Sequence, residues 1–261
     1  MFQWVEQVAS IAMASTTAPR SVATAPPPTR RRRTPFPIEL YRSAVGKKYV
    51  MAVTGILLMG FVLAHMIGNL KMFLGPAEFN EYGEFLRELL VPILPHHVAL
   101  WLMRGGLIVA FGLHIHASYG LTRINHAARQ IKYGSRRDYM AANYASRTMR
   151  WSGVIVGLFI VWHLFDLSWT GTGYTYYRGA VYENVDATLS RIPVAILYVV
   201  ANIALGFHLF HGAWSLFQSM GWNNPRFNRW RRNFAGAFAA LIVVGNVSFP
   251  IAVLAGVVAV G

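Results

Sequence analysis

Cysteine is absent from this 261-residue chain. That excludes disulfides, thiolate-held metal, covalent c-type haem and iron–sulfur clusters within it. Charge is scarce as well: Asp, Glu, Lys and Arg supply 13% of the residues, about half the share found in a soluble domain. Acids are the scarcest, ten against 24 Lys and Arg, for a formal net charge of +14. The remainder is 55% hydrophobic with a positive mean hydropathy. This is the composition of an integral membrane protein built as one bundle. The basic residues lie mostly in loops flanking apolar runs, so they report membrane topology, and no nucleic-acid partner is expected.

Residues 1–42 read as a tail. A short apolar start (Phe2, Trp4, Val5, Val8, Ile11) gives way to Ala/Thr/Pro-rich sequence, then Arg30 to Arg33, Pro35 and Pro37. Such a run builds no core and is expected to be extended or poorly ordered, on the cytoplasmic side. The arginines are not read as an export signal, since no apolar stretch follows them directly and no A-x-A site closes one. Residues 43–261 read as the membrane domain. Five apolar segments, at about 46–69, 98–122, 151–171, 192–218 and 234–259, each approach the roughly 20 residues that cross a bilayer. Basic and non-basic connections alternate. Lys47 and Lys48 stand at the start of the first segment, Glu78, Glu81, Glu84 and Glu88 follow it, and seven Arg and Lys from Arg123 to Arg150 follow the second. Glu183 and Asp186 against Arg178 follow the third, and Arg226 to Arg232 follow the fourth. The expected fold is an all-α, five-helix transmembrane bundle with its N-terminus in the cytoplasm and its C-terminus outside.

Of the nine histidines, His65, His114, His163 and His208 fall within the first four segments, one in each. An imidazole in hydrocarbon is costly without a partner, which makes a repeated intramembrane His a functional signal. Depth sorts the four. His65 and His163 lie late on outward-running spans, His163 roughly 18–20 Å beyond the cytoplasmic start of its span. His114 and His208 lie late on inward-running spans, roughly 13–17 Å from their cytoplasmic ends. An outer pair, His65 with His163, and an inner pair, His114 with His208, match what two bis-histidine haems require. His116 and His211 are the alternatives on the second and fourth spans. A spacing of two turns His116 to nearly the opposite helix face from His114, so only one of them serves an iron. His96, His97 and His126 sit at span ends, where a solvated role is the default. Gly60, Gly68, Gly112, Gly120, Gly157, Gly206 and Gly212 offer close approach, either for flat macrocycles or for ordinary helix packing.

The motifs around these histidines are S-x-x-G-K-K at Ser43 to Lys48, H-M-I-G-N-L at His65 to Leu70, and L-H-I-H-A-S-Y-G-L-T-R-I-N at Leu113 to Asn125. They continue with R-W-S-G…V-W-H-L-F-D from Arg150 to Asp166 and G-F-H-L-F-H-G-A-W-S-L-F-Q from Gly206 to Gln218. Over residues 43–259 the chain resembles the cytochrome b membrane-anchor subunit of succinate dehydrogenases and fumarate reductases, in its five-helix, two-haem form. The resemblance implies that His65 and His163 hold a distal haem b, and that His208 and the second-span ligand hold a proximal one. That second-span ligand is His114, or His116 if an H-A-x-Y-G match is followed. It further implies a bacterial cytoplasmic membrane, a flavoprotein subunit, an iron–sulfur subunit that meets the basic loops, and a quinone of the menaquinone type. A further small membrane subunit is compatible with it. Electrons pass through such an anchor, and succinate chemistry belongs to the soluble subunits. The long Pro/Arg-rich tail departs from the family's short N-termini.

Haem propionates call for cations or hydroxyls. Lys47, Lys48, Arg123 and Arg150, with Ser43 and Tyr119, are the candidates near the inner haem, against the plainer reading that they touch lipid headgroups. Arg104, within span two, is expected to meet an outer-haem propionate or a carboxylate. Quinone reduction also needs protons. Glu81, Glu84, Glu88 and Asp166 are candidates at an outer site, and Trp222, Lys48 or Arg123 at an inner one. Glu81, Glu84 and Glu88 also have the spacing of one face of a surface helix. Two other classes compete: the cytochrome b subunit of a hydrogenase or formate dehydrogenase, and a proton-coupled transporter with a His/Asp166 relay. A transporter usually shows internal repeats, and none is evident here.

Overall fold

The computed structural model describes residues 35–128, 140–169, 172–222 and 224–258, with the helical backbone alone over 140–147. The arginine run Arg30 to Arg33 and the basic connection 129–139 lie outside the described residues.

Among the described residues the chain is helical, without strands. Five helices are long and apolar enough to cross a membrane. They are α2 (Ala44–Asn69), α4 (Val98–Ala127), α5 (Met140–Leu164), α7 (Ile192–Ser219) and α8 (Asn228–Leu254). Three short helices complete the set: α1 (Phe36–Arg42), α3 (Pro76–Arg87) and α6 (Val181–Leu189).

Local chemistry sets the boundaries. Ser43 caps α2, its Oγ accepting from the Gly46 N–H at 2.9 Å and donating to the Leu40 carbonyl at 2.6 Å. That hydroxyl ties α1 to α2 and satisfies an otherwise orphaned amide. A Cβ at Gly46 would run into the Leu40 carbonyl, so only glycine lets α1 fold back this closely. Residues 36–42, read from the sequence as the end of a tail, are thus helical, with Phe36, Ile38 and Leu40 exposed. Gly75, at φ +102°, ends the 3-10 turn Leu70–Leu74 and opens α3.

The fifth span is shifted from the expected 234–259. Asn224 accepts from the Arg226 N–H, Pro225 begins a 3-10 turn, and α8 starts at Asn228. Arg231 is drawn inside, 2% exposed, because its guanidinium donates to the Trp222 and Asn224 carbonyls and to Asn228 Oδ1. Gly256, at φ +68°, follows the helix end at Leu254.

Packing is closest between α7 and α8, between α2 and α4, and between α5 and α7, with α2 also meeting α7 and α8. Small residues make these approaches possible, as expected where lipid offers no hydrophobic drive between helices. A Cβ on Gly206 of α7 would strike Val243 of α8, and one on Gly245 of α8 would strike Met66 of α2. The outward rows are lipid-compatible: Leu102, Ile108 and Val109 on α4, Leu158 on α5, Ile196 on α7, Leu241 and Val244 on α8.

One end of the bundle is capped. The helices α3 and α6 pack on each other, with Asn80 Oδ1 accepting from the Tyr182 N–H at 2.9 Å and Asn80 Nδ2 donating to Glu183 at 3.1 Å. Beneath them Met72, Phe79, Tyr182, Leu189, Tyr198 and Phe249 form a buried core. The helix expected from the spacing of Glu81, Glu84 and Glu88 is α3, although Glu88 stands just past its end.

Candidate histidine pairs between the spans

His65 stands one turn before the end of α2, and His163 one residue before the end of α5, both toward the capped end. Their ring centres are 5.9 Å apart and the planes nearly perpendicular, at 85°. Phe61, one turn earlier on α2, stacks on His65 with centres 5.4 Å apart. His163 Nδ1 faces the Tyr198 hydroxyl of α7 at 3.2 Å.

Nearer the other end, His114 of α4 and His208 of α7 face one another with ring centres 6.4 Å apart and planes at 66°. His114 Nδ1 lies 3.1 Å from Thr54 Oγ1 of α2. Each ring leans on a glycine of the helix behind it. A Cβ on Gly55 of α2 would stand 3.6 Å from His114 Cε1, and one on Gly153 of α5 would stand 3.3 Å from His208 Cε1. His208 Nδ1 is buried without a well-formed hydrogen bond among the described residues.

The alternative histidines are engaged elsewhere. His116 stacks on Tyr41 of α1, with its Nδ1 on the Tyr41 hydroxyl. His211 Nε2 pairs with the Thr148 hydroxyl at 3.2 Å. Neither faces a second imidazole among the described residues; His96 and His97, just before α4, have ring centres 6.5 Å apart, and His96 Nδ1 stands 4.0 Å from Glu88.

This geometry suits iron. Two imidazoles sharing one metal, each nitrogen about 2 Å from it, would have ring centres up to about 6 Å apart. The two observed separations bracket that figure. Open space lies beside Gly60, Gly112, Gly157 and Gly212, where an added Cβ would meet nothing within 4 Å. The two histidine pairs and their spacing fit a haem that each pair would hold.

The cations are distributed unevenly. Lys47 is 9% exposed; its stem lies against Gly120 of α4, its ammonium stands 4.3 Å above the Tyr41 ring, and it donates to the Tyr41 carbonyl at 3.3 Å. Lys48, Arg123 and Arg150 are exposed, Arg123 at 6.0 Å from the Tyr119 ring. Arg104 is exposed and sits 5.1 Å from the Trp101 ring, with no carboxylate partner among the described residues. The half of the expectation that named a carboxylate for Arg104 therefore has no counterpart here.

Asp166 also differs from its expected role. It is fully buried in the π-helical turn Phe165–Trp169 that ends the third span, and both carboxylate oxygens accept from Arg191 Nη2, at 2.9 and 3.1 Å. The Thr172 N–H, at 3.1 Å, and the Thr172 hydroxyl donate to it too. Its carbonyl accepts from the Tyr174 hydroxyl at 2.7 Å, and burial pushes the Tyr174 phenol above its usual pKa, which keeps it a donor. A carboxylate held this completely is a clasp between α5 and α7 rather than a proton carrier. On α3, Glu84 is paired with Arg87 and Glu78 with Lys71, the latter at 3.2 Å, while Glu81 is exposed.

Residues 135–247 match the family model described as the succinate dehydrogenase/fumarate reductase transmembrane subunit. The match supports the cytochrome b anchor resemblance. It takes in α5, α6, α7 and most of α8, and with them His163 and His208. The first two spans, carrying His65 and His114, lie outside the matched residues, so the pairing across the bundle rests on the geometry above. No curated protein and no solved structure matches the chain. The match and the five long apolar helices are together consistent with a multi-pass membrane subunit similar to that family.

Sequence reading missed Thr54, Tyr198 and Arg191. Each is an ordinary residue on an apolar stretch or at its edge, and each meets its partner 25 to 60 positions away. No local pattern marks such pairs.

Proposed function

We propose that this chain is the dihaem cytochrome b anchor of a succinate:quinone oxidoreductase in a bacterial cytoplasmic membrane. It would lie with its N-terminus inside and pass electrons between an iron–sulfur subunit and a quinone of the menaquinone type. One observation carries the reading: four spans each present one histidine, and these meet in two pairs at two depths, 5.9 and 6.4 Å apart. His65 and His163 would hold one haem b, His114 and His208 the other. Bound haem supplies reversible one-electron chemistry at its iron.

The chain's own part is to hold and insulate. The helices fix the rings, Phe61 and Phe159 flank the pair nearer the cap, and Gly55 and Gly153 back the other. Lys47, buried and without a carboxylate partner among the described residues, is the cation best placed for a propionate of the haem at His114 and His208. Lys48, Arg123 and Arg150, exposed near the end where α1 lies, would meet lipid headgroups and the iron–sulfur subunit. Asp166, clasped by Arg191, is not available to bring protons to a quinone, whereas Glu81 is free to do so at the capped end.

The test is to purify the tagged chain from its native membrane. A flavoprotein and an iron–sulfur protein should accompany it, with a dithionite-reduced minus oxidised spectrum of b type. An intact preparation with no haem and no such partners would overturn the proposal.

A further inference from the structure

His114 has its tautomer dictated by a neighbour. Thr54 is 5% exposed on α2, facing α4. Its Oγ1 stands 2.7 Å from the Val50 carbonyl one turn back, 3.3 Å from the Met51 carbonyl and 3.1 Å from His114 Nδ1. A hydroxyl has one proton to give, and a carbonyl can only accept. The short contact to Val50 therefore claims the Thr54 proton, and Oγ1 faces His114 with a lone pair. The ring nitrogen it meets must be the one that carries hydrogen. His114 Nδ1–H donates to Thr54, and His114 Nε2 is left with its lone pair free.

The Tyr198 hydroxyl makes no second hydrogen bond among the described residues, so it can donate to His163 Nδ1 or accept from it. His208 Nδ1 has no well-formed partner. Gly55, next to Thr54, adds a steric stop, because its backbone lies close enough to the His114 ring that a Cβ would already touch Cε1.

We infer that Thr54 is a positioning residue for the metal site formed by His114 and His208: it fixes His114 in the Nδ1–H tautomer and so presents Nε2 to iron. This rests on the haem reading proposed above. An acceptor on the Nδ1–H of a ligating imidazole also makes that ligand more basic, which favours the ferric state and lowers the reduction potential. Thr54 would thereby lower the midpoint potential at the His114 and His208 site, with no contact to the macrocycle required.

The experiment compares Thr54→Val, which keeps the shape and loses the hydroxyl, with Thr54→Ser, which keeps the hydroxyl and loses the methyl. Both are made in the complete complex, beside His114→Ala. Redox titration followed by haem absorbance, and low-temperature EPR of the oxidised complex, are the readouts. In Thr54→Val one midpoint potential rises, one low-spin ferric signal shifts, and haem is retained about 10–100-fold more weakly at that site. The haem affected is the one missing from His114→Ala, and Thr54→Ser restores the wild-type potential and signal. Wild-type potentials and spectra in Thr54→Val, or the same shift in Thr54→Ser, overturn the role of the hydroxyl while leaving the ligand pairs intact. Two haems persisting in His114→Ala overturn the ligand assignment and this inference together.

Discussion

Replacing Arg191 by Met exposes how the capped end is held. Asp166 has no solvent exposure, and a quarter of the Arg191 side chain is exposed. The guanidinium gives two contacts to the carboxylate and one to the Thr172 carbonyl, so its loss strands a buried anion on the two Thr172 donors. Removing one partner of a buried pair costs about 3–5 kcal/mol, and the remaining Thr172 donors place this case at about 3 kcal/mol. For a chain of this size that corresponds to about 6–12 °C in the melting midpoint. The assay is thermal unfolding of the detergent-solubilised complex at pH 7, followed by near-ultraviolet circular dichroism. Asp166→Asn combined with Arg191→Met should recover most of the loss, because no uncompensated charge remains. Asp166 follows His163 by three residues, so the single variant should also release haem from the pair near the cap first. A drop under about 2 °C for Arg191→Met, or a double variant no better than the single, would refute the clasp.

Two further outcomes follow from packing and from ring placement. Gly206→Val forces a side chain into Val243 where α7 and α8 are closest, and should cost about 1–3 kcal/mol by thermal unfolding. Gly105→Ala, on an exposed face with open space beside it, should stay within about 0.5 kcal/mol of wild type. His116→Ala and His211→Ala should keep both haems, since these rings are engaged by Tyr41 and Thr148. Loss of a haem from either, read by pyridine haemochrome, would reassign the pair nearer α1.

The five spans were legible because hydrocarbon demands long apolar runs, and the run lengths survive any detail of packing. The pairing of the histidines was legible for a related reason. Alternating span direction turns a position in the sequence into a depth, and depth sorts His65 with His163 and His114 with His208. Boundaries were less legible where basic residues enter a helix. Arg229, Arg231 and Arg232 look like loop, yet they belong to α8, because Arg231 folds back onto the carbonyls of the preceding turn. The clasp at Asp166 was read as a proton group since nothing local reveals that Arg191, 25 positions on, starts the next span beside it. The α6 helix, nine residues in a loop with mixed charge, has too short a pattern to stand out before its docking on α3 is seen.

The most direct test of the account is a haem count on the purified complex with its ligands removed one pair at a time. The prediction is two haems b per chain in wild type. One of them should be lost in both His65→Ala and His163→Ala, and the other, distinguishable by its midpoint potential, in both His114→Ala and His208→Ala. A single haem in wild type, or loss of the same haem from His65→Ala and His208→Ala, would contradict the two-pair arrangement.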